Sequence, residues 1–341
     1  MAELAARAGR LLQGAVPERA LARQQVLGRE PGGLGLEVLA APLARLGLEQ
    51  AQLPERLFAW IERVAGAAAP ESPAALASIH AARAIRALSG SDPAAFLEAC
   101  DLAARAHEKA GDLRNACLER VNLGGVTMEV GRYAEAARVL REGLAIADPI
   151  GLTLVVAAAK CNLGLALARR GELEEGARLE AEACDHFVAQ GERRMEGASR
   201  IYMAMILRLS GDLAGAEREA RAAVRVLAVA APARACALAT LADALLAQGK
   251  AALACDAARQ AMDLLLELGG IDEGESLARL TYAQALAATG DMDGARAAVT
   301  SARERVLSRA ARISDEALRE SFLAIAENAA TLSLAAEWIS P

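Results

Sequence analysis

Large apolar residues and very small ones follow one another along this chain in a register that returns about every forty positions. Leu123-Gly124 comes back as Leu163-Gly164, and the column continues as Met203-Ala204, Leu241-Ala242 and Tyr282-Ala283. A bulky residue beside a tiny one lets one helix insert a side chain where its neighbour's backbone comes close, so the column predicts a packed helix in each unit. A second column follows a recurring glycine. Gly90, Gly131, Gly171, Gly211, Gly249 and Gly290 stand 41, 40, 40, 38 and 41 residues apart, and five places after each comes Ala95, Ala136, Gly176, Ala216, Ala254 or Ala295. Seven further on stand Gly143, Ala183, Ala223, Ala261 and Ala302. Such offsets lie along one helix stripe, so six glycine turns predict six antiparallel helical hairpins with small residues at the contact. Glu172, Asp212 and Asp291 directly follow their glycines, where they are expected to cap the second helix or favour its positive end.

Ahead of this register the pattern is less regular. Residues 1–70 predict helical hairpins over Ala2–Leu12, Pro17–Leu27, Leu34–Leu46 and Pro54–Ala65 that continue or cap the array. Gly32 and Gly33 are not followed by a Lys-Ser/Thr pair, so the Arg29–Gly33 stretch reads as a turn and not as a phosphate loop. The Ala69-Pro70-Glu71-Ser72-Pro73 segment marks a break, residues 71–311 hold about six repeats, and 312–341 are expected to form capping helices. Only 3% of the residues are aromatic and no long β-branched alternation appears, so the expected class is all-α.

Composition then removes several classes of function. A net charge of −6 with acids and bases interspersed offers no footprint for nucleic acid. The N-terminus carries Glu3, Arg7 and Arg10 and lacks a continuous apolar stretch, and no run is long enough to span a bilayer, so a cytoplasmic protein without membrane contact is expected. Six cysteines lie scattered without a CxxC pair, as small reduced core residues do. His80, His107 and His186 are far apart, and no Walker loop, kinase catalytic loop or nucleophile elbow is present; no catalytic residue, metal or cofactor is expected.

With Leu123-Gly124, Gly131, Tyr133 and Ala136, and with Leu163-Gly164 and Gly171, the chain resembles the tetratricopeptide repeat. The unit is longer than the roughly 34 residues usual there, the signature tryptophan is absent, and glycines 111, 151, 191 and 270 stand where a proline commonly separates repeats. The long unit resembles the C-terminal arrays of multidomain bacterial signalling proteins that carry a serine/threonine kinase or a regulatory ATPase. The segment from Arg312 to Leu323, with Glu327-Asn328 and Leu332–Trp338, is similar to the way those arrays end, with Ala326 in place of a proline. The resemblance implies a right-handed superhelical solenoid whose first helices line a concave groove, in a non-enzymatic scaffold or regulatory module of bacterial signal transduction.

Two polar columns fall on those first helices. Arg120, Lys160, Arg200 and Arg279 recur three places before the bulky column, with Leu238 in the remaining repeat, and Asn122, Asn162, Tyr202, Thr240 and Thr281 one place before it. An amide both donates and accepts, and so suits the backbone of an extended peptide, while the bases would favour an acidic partner. Val121, Leu165, Ile201 and Met205 are expected to grip side chains between the charges. The competing readings are asparagines bonded within the helix pair and bases snorkelling to Glu119, Glu142 or Glu182. The alternative function is a sensory regulator that binds a small metabolite in the groove and controls a linked kinase or ATPase. A homodimer through the N-terminal helices or an open terminal repeat is also compatible with the pattern.

Overall fold

The computed structural model describes residues 72–89, 92–271 and 273–339, all in helices, turns and short connections with no strand among them. The helices expected before residue 70 and the turn at Gly90 lie outside the described residues. Six antiparallel hairpins follow one another: α1 (Pro73–Ser89) with α2 (Pro93–Lys109), α3 (Leu113–Glu129) with α4 (Tyr133–Ala147), α5 (Thr153–Ala168) with α6 (Leu173–Gln190), α7 (Arg193–Ser210) with α8 (Leu213–Val226), α9 (Ala231–Ala247) with α10 (Ala251–Glu267), and α11 (Glu275–Ala288) with α12 (Met292–Ala310). A short α13 (Glu316–Leu323) and α14 (Ala326–Ile339) complete the chain.

The helices gather into two compact units. Among the described residues, the first holds those up to Val126 together with Val139–Val156, and the second holds Thr127–Arg138 and those from Ala157 onward. In the first, Phe96, Cys100, Leu123, Val126 and Val139 form an apolar core. Gly124 explains the small half of the Leu-Gly column, because a Cβ there would sit 2.5 Å from Leu140 Cγ on the facing helix.

The second unit repeats this logic with helix backbones closer still. A Cβ on Gly164 of α5 would lie 2.8 Å from the Gly176 carbonyl oxygen on α6, and one on Gly176 would lie 2.6 Å from the Gly164 carbonyl oxygen. Farther along, Leu241, Leu245, Ala254, Ala258 and Leu286 build one core cluster, and Leu238, Ala261 and Leu277 another. The described turn glycines hold left-handed backbone, as at Gly171 with φ +91°, a region that side chains disfavour. Asp212 and Asp291 cap α8 and α12, each accepting a backbone N–H at 2.8 and 2.9 Å from Gly215 and Gly294. Glu172 stands at the N-cap of α6. Its side chain makes no capping bond to α6 and instead pairs with Arg170 at 3.2 Å.

Candidate functional site

The basic column is present as spaced in the sequence, but each of its members is engaged by glutamates. In the first unit Arg120 pairs with Glu108. In the second, Lys160 Nζ donates to Glu182 at 2.7 Å, and Arg200 donates to Glu196 at 2.9 Å and Glu219 at 2.7 Å. Arg279 Nε donates to Glu275 at 2.9 Å, and Arg305 grips the same carboxylate with two bonds at 2.8 and 2.9 Å. Burial pushes the Glu275 carboxyl up, yet the bonds from Arg305 and Arg279 outweigh that and hold its pKa below the ordinary carboxylate value. Glu182 is also held low, first by the Lys160 hydrogen bond. The column is therefore neutralised locally, and its Lys160–Glu182 pair is one that the pattern itself suggested.

The polar column divides. Asn122 bonds Glu119 on its own helix, and burial pushes that carboxyl up to about 7 while bonds from Cys100 and Asn122 pull it back. Tyr202 is buried, and its hydroxyl donates to Glu273 Oε1 at 2.6 Å; burial and that carboxylate raise the phenol well above its usual value. Asn162 is half-buried on α5, and its amide takes part in none of the hydrogen bonds among the described residues. The apolar positions turn inward more than a groove lining requires. Val121 and Ile201 are each only 3% exposed and Leu165 is buried, so as placed they pack between helices; Met205 stays partly exposed against Leu238 and its neighbours.

Sequence reasoning missed a polar cluster behind this wall. Glu180 of α6 is fully buried where the preceding repeat has Leu140. Ser199 Oγ donates to its Oε1 at 2.5 Å, while Oε2 has no hydrogen-bond partner. Burial pushes this carboxyl up to about 8, with bonds from Ser199 and Cys161 pulling it back, so it is protonated at neutral pH. Cys161 is raised well above its usual value, again chiefly by burial, and stays a thiol. Ser199 and Glu180 have no accessible surface, so the cluster reaches no substrate in this arrangement and fills the α5–α6–α7 contact. The only advance signal was a glutamate in a column that is otherwise apolar.

Among the described residues no group of three or more His, Cys, Asp and Glu is arranged to hold a metal, and no helix is long and apolar enough to cross a membrane. All six cysteines are free, five of them buried. An open depression of about 620 Å³ lies between α12 and the end of α14, lined by Arg296, Thr300, Ser301, Glu304, Trp338 and Ile339.

No family model and no curated protein matches the sequence. Solved structures do match. A Rap protein complexed with competence and sporulation factor aligns with a TM-score of 0.63 over 99% of this chain and 100% of that one, at 13% identity. NprR in complex with its cognate peptide NprX aligns with a TM-score of 0.57 at 14% identity, covering 89% and 83%. A Signal Transduction ATPase with Numerous Domains from Pyrococcus horikoshii, which has a tetratricopeptide repeat sensor, aligns with a TM-score of 0.51 at 15% identity; the match covers 88% of this chain and 43% of that one. At these identities the likeness establishes the fold, which is that of tetratricopeptide-like helix pairs.

Proposed function

We propose that this protein is a non-enzymatic interaction module that binds an extended peptide or protein segment along its first helices, in a signalling context. The observation that carries this reading is the half-buried Asn162 amide, which enters no hydrogen bond among the described residues and is flanked by Lys160 and the Arg200 ion pairs on consecutive first helices. Such an amide can hold a peptide group through both its N–H and its C=O. Lys160, Arg200 and Arg279 would exchange a glutamate of the fold for an acidic side chain of the ligand, so that charge sets selectivity more than affinity. In the first unit Arg120 and Asn122 are the corresponding pair. Two similar folds are described with a bound factor or cognate peptide, which supports the same class of ligand here. A kinase or ATPase effector linked to such a module is the finer form of the proposal, as the sensor-bearing ATPase illustrates.

Selection of displayed peptides against the full chain, followed by affinity measurement, tests the reading. Asn162→Ala should weaken a selected peptide about tenfold, in keeping with the loss of hydrogen bonds to a buried peptide group. Equal affinities for the wild type and Asn162→Ala would remove the amide from the site.

A further inference from the structure

Four of the described hairpin-turn glycines, Gly171, Gly211, Gly249 and Gly290, face open space. Gly131 does not. A Cβ there would lie 2.6 Å from the Ser321 carbonyl oxygen and 3.0 Å from Ile325, because the end of α13 and the connection to α14 are seated on it. The next residues continue the contact. Glu327, in the first turn of α14, is ion-paired with Arg169 at the end of α5, 158 positions earlier in the chain. Both side chains are largely covered, at 14% and 17% exposure.

The charge balance at this spot depends on α14. Arg208 Nε pairs with Asp243 at 2.9 Å, and the Asp243 carboxyl, raised first by its burial, also feels Glu327 and Arg169. Tyr133 of α4 is subject to both Arg169 and Glu327 as well. Arg169 and Arg208 thus meet the carboxylates of Glu327 and Asp243, and of these two acids Glu327 comes from α14. At its other end α14 packs Leu334, Ala335 and Trp338 on Ala283 and Val299, and Arg296 donates to the Trp338 carbonyl.

The seat near Arg169 is incompletely satisfied. Asn328 Nδ2 donates to the Phe322 carbonyl at 2.7 Å, but Asn328 Oδ1 is buried without a partner. The residues around it, Ala324, Ala326, Ala329 and Ala330, bring little side-chain area. The stretch from Ala324 to Ala330 is therefore held by one ion pair and small side chains beside an orphaned acceptor, while Leu318, Phe322 and Trp338 pack at the two ends of the element; a seat satisfied this poorly is of the kind that opens before the array it rests on.

We propose that α13–α14 is a displaceable internal occupant of the second unit's first-helix face, and that the partner which displaces it is an acidic helical segment that replaces Glu327 on Arg169. This rests on the reading of the chain as an interaction module and adds how access to that face is controlled. Partner binding then has to compete with the chain's own Ile325-Ala326-Glu327, which lowers apparent affinity by the fraction of time the segment is seated.

Hydrogen exchange on the wild-type full chain needs no variant. Amides of residues 316–339 should exchange at least tenfold faster than those of α9–α12, through an opening that leaves the hairpins protected. In parallel, a fluorescein-labelled synthetic peptide of residues 312–341 is titrated into the wild type, Glu327→Lys, and Glu327→Lys combined with Arg169→Ala. Glu327→Lys sets two cations against each other and should bind the peptide at least tenfold tighter than the wild type, and the Arg169→Ala change should abolish that gain. Exchange of 316–339 only in step with α9–α12 would make the segment a fixed cap and overturn the proposal. So would a folded Glu327→Lys chain that binds the peptide no better than the wild type; if that variant does not fold, the wild-type exchange decides. Loss of Asn162 dependence in the peptide selection would refute the module reading without altering either of these readouts.

Discussion

Glu180→Gln isolates the buried carboxyl behind the first-helix wall, and its effect can be worked out from the structure. In the folded chain Glu180 has no accessible surface and its pKa is pushed up to about 8, whereas an ordinary glutamate titrates near 4.5. Between those values the unfolded chain has released this proton and the folded chain still holds it. Stability from this group is therefore complete below about pH 4.5, falls as pH rises, and levels off once pH passes the folded value. From pH 5 to pH 8 the linkage relation gives a loss of about 3–4 kcal/mol. Glutamine keeps the shape and the bond to Ser199 but cannot titrate, so it should match the wild type within about 1 kcal/mol at pH 5 and lose far less stability on the way to pH 8. Urea unfolding followed by circular dichroism at several pH values, for both proteins, measures the difference, and Glu119 and Asp243, also raised, cancel in the comparison. A carboxyl resonance present in labelled wild type and missing from the variant should titrate near 8. Parallel stability profiles, or a titration near 4.5, would refute the argument that burial keeps Glu180 neutral.

Other changes follow from the same geometry. Gly164→Ala places a methyl 2.8 Å from the Gly176 carbonyl and must push α5 away from α6, at a cost of about 1–3 kcal/mol; a melting temperature equal to the wild type's would mean the helices are not in backbone contact. Glu275→Gln strips the charge from a carboxylate that binds both Arg279 and Arg305. It should cost about 2–3 kcal/mol near neutral pH, below the usual value for a broken buried pair because Arg305 is a third exposed. Since the folded pKa of Glu275 is lowered, the wild type's advantage should hold above about pH 4.5 and vanish as pH falls through the folded value, which chemical unfolding at pH 3 and pH 6 would check.

Local and periodic features were legible in the sequence. A helical hairpin needs a turn residue that tolerates left-handed backbone, and a close helix crossing needs a missing side chain; both demands recur with the repeat, so Gly131, Gly171, Gly164 and Gly176 announced the hairpins and their contacts. The columns Lys160/Arg200/Arg279 and Asn122/Asn162 could likewise be placed on the first helices, because helix periodicity assigns a face without knowledge of neighbours. Which groups those side chains meet was decided by tertiary structure. Lys160 finds Glu182, Tyr202 finds Glu273, and Arg169 finds Glu327 across separations of 22, 71 and 158 residues that no repeat period encodes. Nor does composition distinguish Glu180 from the many surface glutamates. It is the folding of α5, α6 and α7 around it that removes water, raises its pKa and gives it Ser199 as a partner.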